Sequence, residues 1–256
     1  MCKAMLLIVL PFVFLAQVAR GQAYLPEVGT LKTEVLDEDW LDAKRDRSLP
    51  VRLYVPQSNE PMPVVILSHG LGGSRHVGSF VAGHWASRGY LVVALQHPGS
   101  DSSVWRDAAP ADRLAALRRA SGPRQFLDRV GDVRFVLDHL AHLNAAPGPF
   151  KHRVDLDRIA MTGHSFGAAT SQAVIGVRYG PDRVAMSYRD ERIRCAILFS
   201  PPVPEGAVDL DRRFADVRVP VFHLTGTEDV APAGLGSQDA TTRLLPFKHM
   251  TAIEQY

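Results

Sequence analysis

Cysteine is nearly absent: the 256-residue chain has two, Cys2 and Cys195. Cys2 lies in an N-terminal stretch expected to be removed, which leaves Cys195 without an intramolecular partner and excludes a disulfide scaffold. Flanked by Ile193 and the apolar stretch 196–198, Cys195 is expected as a packing thiol on a buried strand. Charge of one sign is also missing. Lys and Arg number 29 against 27 Asp and Glu, a formal net charge of +2. No basic block stands out, so there is no nucleic-acid footprint. No apolar run reaches the roughly 20 residues that comfortably span a bilayer. Internal repeats and low-complexity tracts are lacking too.

What is present is an ordinary globular composition, 46% hydrophobic and 22% charged. Single α/β sheets often reach about 200–250 residues before a chain must split, so one domain is expected. At the N-terminus Lys3, the apolar run 4–16 and small residues near Gly21 and Ala23 are the three parts of a secretory signal. Cleavage is expected after Ala23, giving a signal peptide at 1–23, a domain at 24–256 and a periplasmic or secreted protein with no stable membrane span. A retained anchor or a buried N-terminal helix is the alternative.

Short apolar runs alternate with longer helical patterns, the signature of a parallel sheet covered on both faces. Strands are expected at 51–55, 64–68, 91–96, 158–162, 194–199 and 219–224, and helices at 77–88, 111–120, 124–144, 166–177 and, more weakly, 237–245. In the clearest helix Phe126, Val130, Val133, Phe135, Val136 and Leu140 recur at three- and four-residue intervals, an apolar stripe facing the sheet.

The segment Gly163-His164-Ser165-Phe166-Gly167 follows an expected strand and opens an expected helix. A serine hydroxyl is a poor nucleophile unless a base and an exposing geometry assist it. This strand–turn–helix context is that of a nucleophile elbow, with Ser165 as the attacking residue of an α/β-hydrolase fold. Ser68-His69-Gly70-Leu71-Gly72-Gly73, directly after another strand, is a glycine-rich loop of the kind that donates an N–H to a tetrahedral oxyanion. The donors are assigned to the backbone N–H groups of Leu71 and Phe166. His69 reads as structural, holding its loop. A strand ending in Thr225-Gly226-Thr227-Glu228-Asp229 offers an acid to orient a histidine. Asp229 is the choice, Glu228 the second option, and a helix-capping Asp the plain alternative.

Three ordered segments, Ser68-His69-Gly70-Leu71-Gly72, Gln96-His97-Pro98-Gly99-Ser100-Asp101-Ser102 and Gly163-His164-Ser165-Phe166-Gly167-Ala168-Ala169-Thr170, resemble the bacterial branch of the platelet-activating-factor acetylhydrolase and dienelactone-hydrolase-like α/β hydrolases. The resemblance runs from Val51 onward. It implies a serine esterase, with neither cofactor nor metal, acting on small acyl esters, lipid esters or polyesters. It also implies that His164 packs behind the elbow. The vertebrate lipid-acting members carry their acid where this chain has Phe199-Ser200-Pro201, so here the acid must come from Asp229.

The triad order of this fold is Ser, acid, His. His249 is the sole histidine after Asp229. Either it folds back to Ser165, or the base lies beyond a last strand that the chain lacks; the comparison with relatives favours the second. A binding or scaffold protein on the same fold is therefore the competing function, and a peptidase or thioesterase a third. His97, His139, His142, His152 and His223 are expected on the surface or in loops. The pocket is expected to be shaped by 100–124, with Trp105 either facing substrate or packed beneath that loop.

Overall fold

The computed structural model describes residues 27–204 and 206–256; the expected signal at 1–23 lies outside them. Nine strands are defined among the described residues: β1 (Thr33–Asp42), β2 (Arg47–Pro56), β3 (Met62–Ser68), β4 (Leu91–Leu95), β5 (Val154–His164), β6 (Arg178–Tyr179), β7 (Met186–Ser187), β8 (Ile193–Phe199) and β9 (Val221–Leu224). The helices are α1 (Ser79–Ser87), α2 (Ser103–Arg106), α3 (Arg113–Ala120), α4 (Pro123–Ala145), α5 (Phe166–Ile175), α6 (Leu210–Phe214) and α7 (Leu245–His249).

Seven strands form one sheet in the order β1-β2-β4-β3-β5-β8-β9, and β6 and β7 make a separate ribbon. The hairpin of β1 and β2 is antiparallel and β2 joins β4 antiparallel, while β4, β3, β5, β8 and β9 run parallel. Every residue of β4 is buried, as a strand covered on both faces requires. α4 buries Val130, Val133, Val136, Leu137 and Leu140 in a core with Leu49, Val51, Ile66, Val93, Met161 and Leu198. On the opposite face Ala82 and Ala86 of α1 meet Tyr54, Val65, Leu67, Val92 and Ala94.

All six expected strands are present, as are the four clear helices. The weak stretch 237–245 is instead a 3₁₀ turn, Ala240–Leu244, running into α7. β1 was not expected. Cys195 also departs from expectation, because it is exposed. The cause lies in the sheet pairing. Cys195 is opposite Ala160, so it shares the face that α1 covers; α1 reaches only the β2–β4–β3 half of that face. Beyond it Phe222 and Leu224 are exposed as well.

Register aligns the strand ends. Ser68 pairs with Gly163, His164 with Phe199, and Phe199 with Leu224. The loops after β3, β5, β8 and β9 therefore emerge side by side along the carboxyl edge of the sheet, where open α/β sheets place their ligands. Outside β9, the segment Glu254–Tyr256 adds parallel pairing: Val221 N–H donates to Glu254 O, and Tyr256 N–H to Val221 O. Among the described residues no helix is long and apolar enough to cross a membrane.

Candidate active site

Ser165 stands between β5 and α5 with φ 53° and ψ −113°, a left-handed conformation that costs a non-glycine residue about 1–3 kcal/mol. Its neighbours explain how the turn closes. A Cβ on Gly163 would lie 2.3 Å from the Gly167 carbonyl carbon, and one on Gly167 would lie 2.0 Å from the Ser68 carbonyl oxygen. Only glycine fits either position. The Ser165 N–H is fixed to Phe199 O at 3.0 Å, leaving the half-buried side chain at the N-terminus of α5.

Neither the Leu71 nor the Phe166 N–H has an acceptor among the described residues. Leu71 is on the loop after β3 and Phe166 opens α5 next to Ser165, and the close Gly167–Ser68 approach locks the two segments together. The arrangement can stabilise negative charge that develops beside Ser165.

Beneath the Leu71 loop lies a buried polar network that the sequence reading missed. Ser68 Oγ donates to His97 Nε2 at 2.9 Å, and His97 Nδ1 donates to Asp132 Oδ2 at 2.9 Å. Asp132 also accepts from Arg45 Nη2 at 2.8 Å and from Arg47 Nε at 2.7 Å. His97 is fully buried, a correction to its expected surface position: it lies two residues after β4, and its ring turns inward to an ionised partner. Burial disfavours the imidazolium and Arg129 opposes it further, so the His97 pKa falls to about 4 despite Asp132. Burial pushes the Asp132 carboxyl up, but the hydrogen bonds from His97 and Arg47 outweigh this and hold it far below the carboxylate range. A usable signal existed. Asp132 falls four and eight residues before Val136 and Leu140, on the apolar stripe rather than the solvent face of α4.

His69 is likewise buried, with Nδ1 donating to Gly70 O at 2.6 Å and Nε2 accepting from His97 N–H at 3.1 Å. Both ring nitrogens hold the loop. Trp105 is half-buried, and its Nε1–H donates to Gly72 O at 2.8 Å, so it packs on the same loop. His164, expected behind the elbow, is exposed beside Ser165. His223 lies inside β9.

Asp229 caps no helix. Thr225 Oγ1 donates to its Oδ2 at 2.8 Å, and Arg243 Nε lies 3.6 Å from Oδ1. Burial pushes this carboxyl up, but hydrogen bonds from Ser200 and Thr225 and the charge of Arg243 hold it below its ordinary value. Ser200 is itself left-handed, at φ 51°, and its N–H donates to Leu224 O at 2.8 Å. The β8 and β9 loops are thus tied together around an ionised Asp229. Glu228 is exposed. His249 is elsewhere: its Nδ1 lies 2.6 Å from Asp211 Oδ1, and no histidine hydrogen-bonds to Ser165 among the described residues.

Ser165, the glycine-rich loop and the acid-bearing loop thus lie along one edge of the sheet, in a chain with known relatives. The model of the family described as platelet-activating factor acetylhydrolase, isoform II, matches residues 38–115 and 135–226. The chain belongs to this family. A platelet-activating factor acetylhydrolase from Cavia porcellus is 25% identical over 170 residues, covering 57% of this chain and 36% of that protein. A Schizosaccharomyces pombe protein named as a candidate phospholipase A2 is 47% identical over 174 residues, covering 50% of this chain and 39% of that protein. The chain thus spans little more than a third of these relatives. A Klebsiella pneumoniae structure named as a candidate dienelactone hydrolase superposes with a TM-score of 0.57 at 16% identity, covering 87% of this chain and 85% of that one. This likeness establishes the fold, a mostly parallel α/β-hydrolase sheet with helices on both faces.

Proposed function

We propose that this acetylhydrolase-family chain is an exported serine hydrolase of carboxylic esters, of small acyl, lipid or polyester type. The carrying observation is the conformation of Ser165: a strained left-handed serine at the carboxyl edge of β5, with two unengaged N–H groups, of Leu71 on the loop after β3 and of Phe166 at the start of α5. In this reading Ser165 Oγ attacks the ester carbonyl and the Leu71 and Phe166 N–H groups receive the oxyanion. Collapse expels the alcohol and leaves an acyl group on Ser165, which water then removes. The names of the relatives support an ester substrate, and Asp229 is suited to orient a base.

A second reading, a weakly active or binding form of the fold, is favoured by one observation, the engagement of His249 with Asp211 rather than Ser165. A serine without its base retains about 10³- to 10⁴-fold catalysis over water from the oxyanion hole and binding. Labelling with a fluorophosphonate, beside hydrolysis of short-chain p-nitrophenyl esters, separates the two. Rapid labelling at Ser165 with turnover lost in Ser165→Ala supports the esterase. Slow labelling with turnover near the residual level supports the second reading, and turnover indifferent to Ser165→Ala defeats both.

A further inference from the structure

Resting on the reading of Ser165 as the nucleophile, we infer that Arg129 is a positioning residue: it holds the Gly70–Leu71 peptide in the orientation that presents the Leu71 N–H to the oxyanion. A trans peptide carries its C=O and the following N–H on opposite sides. Whatever fixes Gly70 O therefore fixes the direction of the Leu71 N–H. Gly70 O faces inward onto His69 Nδ1 at 2.6 Å, Gly73 N–H at 3.0 Å and Arg129 Nη2 at 3.5 Å. The Leu71 N–H consequently points away from the interior.

Arg129 makes three more hydrogen bonds, one to this loop and two to Ser100 on the neighbouring loop after β4. Nη1 donates to His69 O at 2.6 Å, Nε to Ser100 Oγ at 2.8 Å and Nη2 to Ser100 O at 3.2 Å. Ser100 O in turn accepts the Gly72 N–H at 2.9 Å. The guanidinium carbon also lies 4.3 Å from the centroid of the Phe166 ring, so one side chain touches both the glycine-rich loop and Phe166. A loop containing Gly70, Gly72 and Gly73 has little intrinsic preference for a single conformation, because glycine lacks the Cβ that restricts φ. Something outside the loop must choose.

The cost of the arrangement argues that the charge is used. Arg129 is fully buried, and no carboxylate forms an ion pair with it among the described residues. Burial pulls its pKa down to about 9, against the nearby charges of Asp132 and Asp101. An apolar side chain would fill the volume without that penalty. It would not hold the three carbonyl oxygens of His69, Gly70 and Ser100.

The test is p-nitrophenyl acetate turnover by the chain and by Arg129→Lys, Arg129→Gln and Ser165→Ala. Both Arg129 variants are expected to lower kcat about 10- to 10²-fold, with KM within about threefold, because the loss falls on transition-state charge. Lys is expected to retain more than Gln, since it keeps the charge but not the planar fork. Inhibition by a trifluoromethyl ketone, which forms a tetrahedral oxyanion on serine, should weaken in parallel with kcat. Thermal unfolding reports whether each variant folds; if Arg129→Gln does not, Arg129→Lys decides. A folded Arg129→Lys with kcat within twofold of the parent, or a loss confined to KM, overturns this role and leaves the Ser165 reading intact. Turnover that is absent from the parent, or survives Ser165→Ala, overturns both.

Discussion

His249 Nδ1 lies 2.6 Å from Asp211 Oδ1, joining α7 to α6 across a largely solvent-exposed contact. An exposed pair of this kind contributes at most about 1 kcal/mol. His249→Ala should therefore lower stability by no more than that amount and leave ester turnover within twofold of the parent. A loss of turnover beyond tenfold, with the fold intact by circular dichroism, would return His249 to the catalytic machinery.

The strain at Ser165 predicts a trade between stability and activity. Glycine adopts φ 53° without penalty, so Ser165→Gly should be more stable than the parent by about 0.5–1 kcal/mol while losing turnover. Chemical denaturation beside the ester assay reads both. A less stable Ser165→Gly would mean that the serine side chain is held by contacts rather than strained.

Two glycines give opposite expectations. At Gly167 a Cβ would sit 2.0 Å from backbone oxygen, whereas at Gly83, within α1, nothing lies within 4 Å. Gly167→Ala should cost about 3 kcal/mol or more and reduce soluble yield. Gly83→Ala should stabilise by about 0.5–1 kcal/mol through helix propensity. Thermal midpoints of the pair measure the contrast.

What was legible in the sequence follows from which physical signals are local. Doubly buried strands such as β4 are continuous apolar runs, and the strand–turn–helix around Ser165 has a fixed glycine spacing, so both could be read directly. β1 escaped because it is an edge strand in which Glu34, Asp37, Glu38, Asp39 and Asp42 obscure the alternation that buries Trp40. Arg129 and Asp132 escaped for a different reason. Their partners, His69, Ser100, His97 and Arg47, are about 29 to 85 residues away in sequence, so the helix pattern alone does not show what they bind. The pairing of His249 with Asp211 is also non-local, so the sequence alone leaves its position relative to Ser165 open.

The buried network sets the acid response. An unfolded histidine takes up its proton near pH 6.5, whereas folded His97 resists until about 4, and His69 is shifted in the same direction by burial. Between these values the unfolded chain binds more protons, so stability should be fully present above pH 6.5 and fall as the pH drops toward 4. Urea midpoints at pH 7.5 and 4.5 test this, and His97→Gln should show a shallower decline. A midpoint constant across that range would contradict the neutral, buried state of both rings.

The acidic composition of β1 bears on how molecules of this protein meet one another. β1 is one outer strand of the sheet, and its exposed Glu34, Asp37 and Asp39 give two approaching copies like charges along the strand that would have to pair. Asp37 is held below its ordinary value chiefly by the Arg52 hydrogen bond, so it keeps its charge at pH values that would protonate an ordinary aspartate. Colloidal behaviour should accordingly be benign at neutral pH on this side of the molecule, and light scattering should reveal self-association only under acid strong enough to discharge that rim.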